Sequence, residues 1–119
     1  MNEMIYKIMT RAEWNAFQSA GVFTGAPVDL ADGYIHFSTG GQAPETASRH
    51  FAGQEDLWLV AVDPALLGDA LTWEPSRGGV LFPHLYAALA LDQVALAEPL
   101  PLGDDGRHRF PSGVTGPAA

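Results

Sequence analysis

Three short segments of this 119-residue chain carry side chains suited to acid–base or ligand-binding chemistry: Tyr6-Lys7, His36-Phe37-Ser38-Thr39 and Phe82-Pro83-His84-Leu85-Tyr86. His36 closes a strand-like stretch, and Ser38 or Thr39 opens a helix-like one. A strand end that feeds a helix N-terminus exposes backbone N–H groups and suits an anion. The plainer alternative is a simple cap beside an ordinary strand histidine. His84 and Tyr86 lie two residues apart in an extended segment, so they face the same side. An imidazole and a phenol on one face can bind or protonate a polar ligand; the alternative is a turn that packs Tyr86 against the core. Glu74 follows Trp73 at a sheet end. A carboxylate beside an aromatic can have a raised pKa and serve as acid or base, or it can be a solvated edge charge.

Other chemistries are excluded or disfavoured. There is no cysteine, hence no disulfide, zinc–thiolate site or thiol nucleophile. The histidines at 36, 50, 84 and 108 show no metal-binding spacing, so no metal is expected. His50 falls on the apolar face of a helical pattern and reads as a core histidine. His108 sits between Arg107 and Arg109, where a cation is disfavoured. No dinucleotide fingerprint, P-loop or nucleophile elbow is present, and Ser38 lacks the flanking glycines of the last.

The formal net charge is −8, from 14 acidic and 6 basic residues. The basic residues are scattered (Lys7, Arg11, Arg49, Arg77, Arg107, Arg109), whereas nucleic-acid binding needs them clustered. Nucleic acid is therefore not an expected partner; a small-molecule ligand is. No run approaches the roughly 20 apolar residues that span a bilayer, and the first residues lack a signal-peptide pattern. A soluble, cytoplasmic protein is expected, and its oligomeric state is left open.

The elements that must position these groups follow from periodicity. Met4–Met9 reads as a strand. Thr10-Arg11-Ala12-Glu13 is a capping box, and Trp14 and Phe17 mark a short amphipathic helix ended by Gly21. Residues 21–33 read as a loop able to cover a pocket. Gly33–Phe37 is a second strand. A helix follows from Ser38 or Thr39 to about Phe51, with Gln42 completing a box from Thr39. Leu57–Val62 is apolar throughout and reads as a central strand covered on both faces. Asp63-Pro64 opens a helical turn ending at Gly68. Leu71–Glu74, Val80–Phe82 (limited by Pro83) and Gln93–Glu98 are later strands. Residues 1–102 are expected to form one α+β domain with a mixed, mostly antiparallel sheet, continuous or split, and two main helices in the N-terminal half; 103–119 is expected to be a loosely ordered tail.

Taken together and in order, Ile5-Tyr6, Gly33-Tyr34-Ile35-His36-Phe37-Ser38-Thr39, Asp63-Pro64, Trp73-Glu74 and Phe82-Pro83-His84-Leu85-Tyr86 resemble the domain-of-unknown-function 952 family, over Ile5 to about Phe110. That family has been grouped by fold with the ADP-ribosyltransferases. The resemblance implies NAD, or a related nucleotide, in a cleft of a split sheet. The residue readings above and this resemblance together give ligand-binding roles to Tyr6, Lys7, Ser38, Thr39 and Tyr86 and catalytic roles to His36, His84 and Glu74. Two departures stand out. Lys7 replaces the family's usual first-strand His, and Tyr86-Ala87-Ala88-Leu89 replaces a Tyr-Gly-Pro-Leu continuation. Lysine cannot act as a neutral imidazole, although it could contact a ligand phosphate. Two other readings stand beside this one: a non-catalytic module for a small anion or a protein partner, and another small-molecule enzyme with a histidine general base. Whether the chain is an enzyme, and which cofactor it takes, stay open at this stage.

Overall fold

Thr10 both ends the first strand and starts the first helix. The structure, a computed structural model, describes residues 3–111 and 114. In it β1 spans Ile5–Thr10 and α1 spans Arg11–Ala20. The Thr10 hydroxyl accepts from the Glu13 N–H at 3.1 Å, and the Glu13 carboxylate accepts from the Thr10 N–H at 2.9 Å. This is the reciprocal box the sequence predicts. Gly21 closes the helix at φ 77°, a conformation glycine adopts without steric cost. Trp14 and Phe17 form the buried face, and Trp14 stacks on Trp58 with ring centroids 5.7 Å apart.

Residues 21–33 differ from the expected loop. They form β2 (Val22–Phe23) and α2 (Pro27–Asp32). Pro27, which reads as a turn residue, occupies the helix start, where its missing N–H costs nothing. Gly33 is the left-handed C-cap. Between them Asp29, at the third helical position, reaches back to accept from the Ala26 N–H at 2.8 Å, the half of a capping box that needs no side chain at the N-cap.

The next stretch links two sheets. β3 (Ile35–His36) and β4 (Ser38–Thr39) are separated only by Phe37. The following helix, α3 (Ala43–His50), starts later than expected. Ser38 and Thr39 are held as strand by pairing with Tyr6 and Ile5. The Thr39–Gln42 reciprocal bonds do form, at 3.0 and 3.2 Å. They close a turn ahead of the helix, and Pro44 lies in its first turn, where proline is tolerated.

The later strands are β5 (Leu57–Val62), β6 (Leu71–Pro75), β7 (Leu81–Leu85), β8 (Leu89–Ala90) and β9 (Val94–Leu100). They assemble as β4-β1-β5-β9, β2-β8 and β3-β7-β6. All pairings among the described residues are antiparallel. The architecture is α+β with a divided antiparallel sheet and, among the described residues, three α-helices. As expected, β5 is central, flanked by β1 and β9.

Pro83 does not end its strand, as the sequence suggested, but lies inside β7. Its carbonyl accepts from the Phe37 N–H at 3.0 Å. Both ladder groups of one residue point to the same side of a strand, so the missing N–H also faces this neighbour. Pairing with β3 stops there, after His36↔His84.

Alternation along β1 and β5 divides the interior in two. Ile5, Met9, Val60 and Val62 join Trp14, Phe17, Phe37 and Leu85 on one side. Ile8, Leu57 and Leu59 join Ala47 and Leu100 on the other, with Phe51 and Phe110 packed against them. Each such buried side chain contributes about 1.5–3 kcal/mol. Beyond Leu102, which bridges to His108, the Arg109 N–H donates to the Pro101 carbonyl at 2.8 Å, and His108 Nε2 bonds the Gln54 carbonyl at 2.8 Å. Of the C-terminal segment expected to be loosely ordered, residues 112, 113 and 115–119 lie outside the described residues.

Candidate functional site

Lys7 follows the β1 alternation onto the same side as Ile5 and Met9, so its ammonium must find a partner inside the protein. The partner is Asp29. Lys7 Nζ lies 3.0 Å from Asp29 Oδ1 and 2.9 Å from Oδ2. Lys7 is 7% exposed and Asp29 1%. Asp29 also accepts from the Ala26 N–H, from the His36 N–H at 3.1 Å and from the His36 ring, whose Nδ1 is 2.6 Å away. Burial acts to raise the Asp29 pKa. The His36 hydrogen bond and the Lys7 charge overcome it and hold the carboxyl at about 2. His36 meets a second carboxylate: its Nε2 is 2.9 Å from Asp32 Oδ2. Both imidazole nitrogens are therefore occupied.

A second imidazole–carboxylate pair stands opposite. His84, in register with His36 across β3 and β7, places Nδ1 2.7 Å from Glu74 Oε1. The Tyr86 hydroxyl donates to the same oxygen at 2.8 Å. These two bonds hold the Glu74 carboxyl below its usual range, so the raised pKa suggested by its aromatic neighbour does not arise. The same bond to Glu74, helped by burial, pushes the Tyr86 phenol up to about 12. His84 is 3% exposed. Among the described residues its Nε2 has no hydrogen-bond partner.

Tyr34 joins the two pairs. Its ring stacks on His84 at 4.1 Å between centroids and lies 4.6 Å from His36 and 5.2 Å from Tyr86. The two histidine rings are 5.4 Å apart.

A cleft of about 690 Å³ runs beside these groups. It opens where β4, only two residues long, leaves the edge of β1 uncovered beyond Tyr6. Tyr6, Lys7, His36, Ser38 and His84 line it, with Asp32 and Val28 from α2 and Thr46 and Phe51 from the α3 side. Its volume is in the usual range for small-molecule sites. Ser38 Oγ lies 2.8 Å from Thr46 Oγ1.

The three segments separated in sequence thus converge. Tyr6, Lys7, His36, Ser38 and His84 share the cleft. Glu74 and Tyr86 are held behind His84 and do not line it, and Thr39 is used in the turn with Gln42. Sequence reasoning missed Asp29, Asp32 and Tyr34. The signal for Asp29 was a Pro27-x-Asp29 helix start closed by Gly33; the signal for Tyr34 was its place in the His36 motif. Among the described residues no cluster of His, Asp and Glu has the geometry to hold a metal ion, and no helix is long and apolar enough to cross a membrane.

The model of a family described as "Protein of unknown function (DUF952)" matches residues 8–97. The chain belongs to this family. Its fold is similar to that of protein CC0527 from Caulobacter crescentus. The crystal structure of that protein is 51% identical, with TM-score 0.86 over 89% of this chain and 93% of that one. Its solution NMR structure gives 52% identity and a TM-score of 0.80 over 87% and 90% of the two chains. Curated proteins give no significant match. The resemblance drawn from the short motifs is therefore correct at the level of the family, whose own description assigns no activity.

Proposed function

We propose that the cleft binds a polar small molecule and that His84 acts on it as a general base. The observation that carries this is the contrast between the two histidines. His36 has a carboxylate on each nitrogen, the pattern of a structural or electrostatic group. His84 is equally well placed by Glu74, but its second nitrogen is left open in a nearly water-free position. Buried polar atoms are normally satisfied, and an exception marks a candidate for function. With Nδ1–H donated to Glu74, the neutral ring presents a lone pair at Nε2. A proton taken from a bound ligand would go to Nε2, and Glu74 would stabilise the imidazolium formed.

The test is an NMR screen of polar aromatic fragments read at the His84 ring and the Ser38 amide, repeated at the Ser38 amide with His84→Asn. That variant keeps a donor toward Glu74 and removes the acceptor at the Nε2 position. Hits that move the His84 ring and weaken in the variant support the reading. Hits that map away from His84, or are indifferent to the substitution, refute it.

A second reading, NAD handling of the ADP-ribosyltransferase kind, is favoured by one observation: the cleft lies between separated sheets joined at Phe37. It has less support from charge, since Lys7 is committed to Asp29 rather than free for a phosphate. Calorimetric titration with NAD and ADP-ribose decides it. Heat that saturates, with nicotinamide release, supports it, and no heat at millimolar ligand removes it.

A further inference from the structure

The hydrogen-bonding groups near His36 on the cleft wall are mostly acceptors, and that selects a ligand. The Thr46 hydroxyl donates to the Gln42 carbonyl at 3.2 Å. Either hydroxyl can donate in the 2.8 Å contact between Thr46 and Ser38; with the Thr46 hydrogen on the Gln42 carbonyl, Ser38 is the donor. Ser38, 5% exposed, then has only lone pairs to offer a ligand. His84 offers only its Nε2 lone pair while Nδ1 serves Glu74. Asp32 brings a carboxylate that His36 engages at one oxygen. These three acceptors line the same cleft near His36: Asp32 contacts its ring at 2.9 Å, His84 is opposite it in register and Ser38 is two residues further along.

Donors are scarce. Lys7 is the sole lysine or arginine among the described residues lining the cleft, and both Asp29 oxygens hold it at 2.9–3.0 Å. The remaining walls include Ile8, Val28, Phe37, Phe51 and Phe82.

Resting on the small-molecule reading above, we propose that the cleft takes a small organic cation: an amine or amidine head on an apolar body. The head donates to Asp32, Ser38 and His84 Nε2, and the body lies on the apolar wall. Hydrogen bonds from a charged donor to a carboxylate are about twice as strong as neutral ones. A phosphate or carboxylate head would face acceptors and a like charge in the same place. The buried, unpartnered Nε2 is what distinguishes this arrangement from an ordinary acidic surface.

The experiment uses three probes that share a benzyl body and differ in the head: benzylamine, benzyl alcohol and benzyl phosphate. Each is titrated into the full chain at matched ionic strength, followed by NMR at the His84 ring and the Ser38 amide. Benzylamine is expected to shift both and to bind roughly tenfold or more tightly than the other two. Asp32→Asn is expected to weaken benzylamine by about tenfold and leave benzyl alcohol unchanged. Ser38→Ala, with the fold checked by its amide spectrum, weakens benzylamine as well. Benzyl phosphate binding in the cleft as tightly as benzylamine, or indifference of benzylamine to Asp32→Asn, overturns the ligand class and leaves the cleft reading standing. If no probe of any charge moves the His84 ring at millimolar concentration, the cleft reading falls together with it.

Discussion

Replacing Asp29 by asparagine tests the electrostatic centre of the structure. The substitution is nearly isosteric, so packing changes little. The chemistry changes sharply, because Lys7 is left as an unpaired ammonium at a position 7% exposed. An amide also has one acceptor oxygen where the carboxylate has two, while four donors converge here: Lys7 Nζ, the Ala26 N–H, the His36 N–H and the His36 ring. Removing one partner of a buried ion pair costs about 3–5 kcal/mol. At roughly 3–5 °C per kcal/mol for a domain of this size, the melting midpoint falls by about 10–20 °C. Urea denaturation followed by circular dichroism measures the loss, with the slope checked for an unchanged two-state transition. Adding Lys7→Met removes the stranded cation, so the double variant should recover at least about 1 kcal/mol. A single variant that loses less than about 1 kcal/mol, or a double variant no better than the single, would refute the claim that Asp29 exists to neutralise Lys7.

Three further outcomes follow from the same geometry. The Asp29 carboxyl sits at about 2 in the folded state against 3.8 unfolded. Its contribution of about 2 kcal/mol is therefore present above pH 4 and lost as pH falls toward 2; acid unfolding curves should show this limb, and Asp29→Asn should lack it. Tyr86, raised to about 12 by its bond to Glu74, should appear in ultraviolet titration as a phenol ionising well above the ordinary range, and Glu74→Gln should bring it down. Phe37, buried where the chain passes between the sheets, should cost about 3–5 kcal/mol when cut to alanine; equilibrium denaturation checks this, and a loss under about 1 kcal/mol would show that the crossing is held by something else.

Features set by neighbours in sequence were legible in advance. The Thr10–Glu13 box, the Gly21 stop and the all-apolar Leu57–Val62 strand depend on local hydrogen bonds and on burial pattern. The misreadings share one cause: a residue type with two uses. Pro27 and Gly33 punctuate loops, but they also start and end helices, and which role holds depends on whether the intervening turn can pack. Pro83 breaks a central ladder in general, but not where the neighbouring strand is two residues long and ends beside it. The later start of α3 has the same character, since pairing with β1 outcompeted a cap at Ser38. The candidate site divides similarly. His36 and His84 were visible as motifs. Asp29 was not, because its meaning comes from Lys7, 22 residues away, and no local pattern encodes that contact.

The central claim is that Nε2 of His84 is an open acceptor facing a ligand cleft. A long-range proton–nitrogen correlation spectrum of the ¹⁵N-labelled protein, taken where the ring is neutral, reads it directly. The geometry predicts hydrogen on Nδ1, a bare Nε2, and movement of that Nε2 resonance when a cleft ligand is added. Hydrogen on Nε2, or a resonance that no ligand moves, would contradict it.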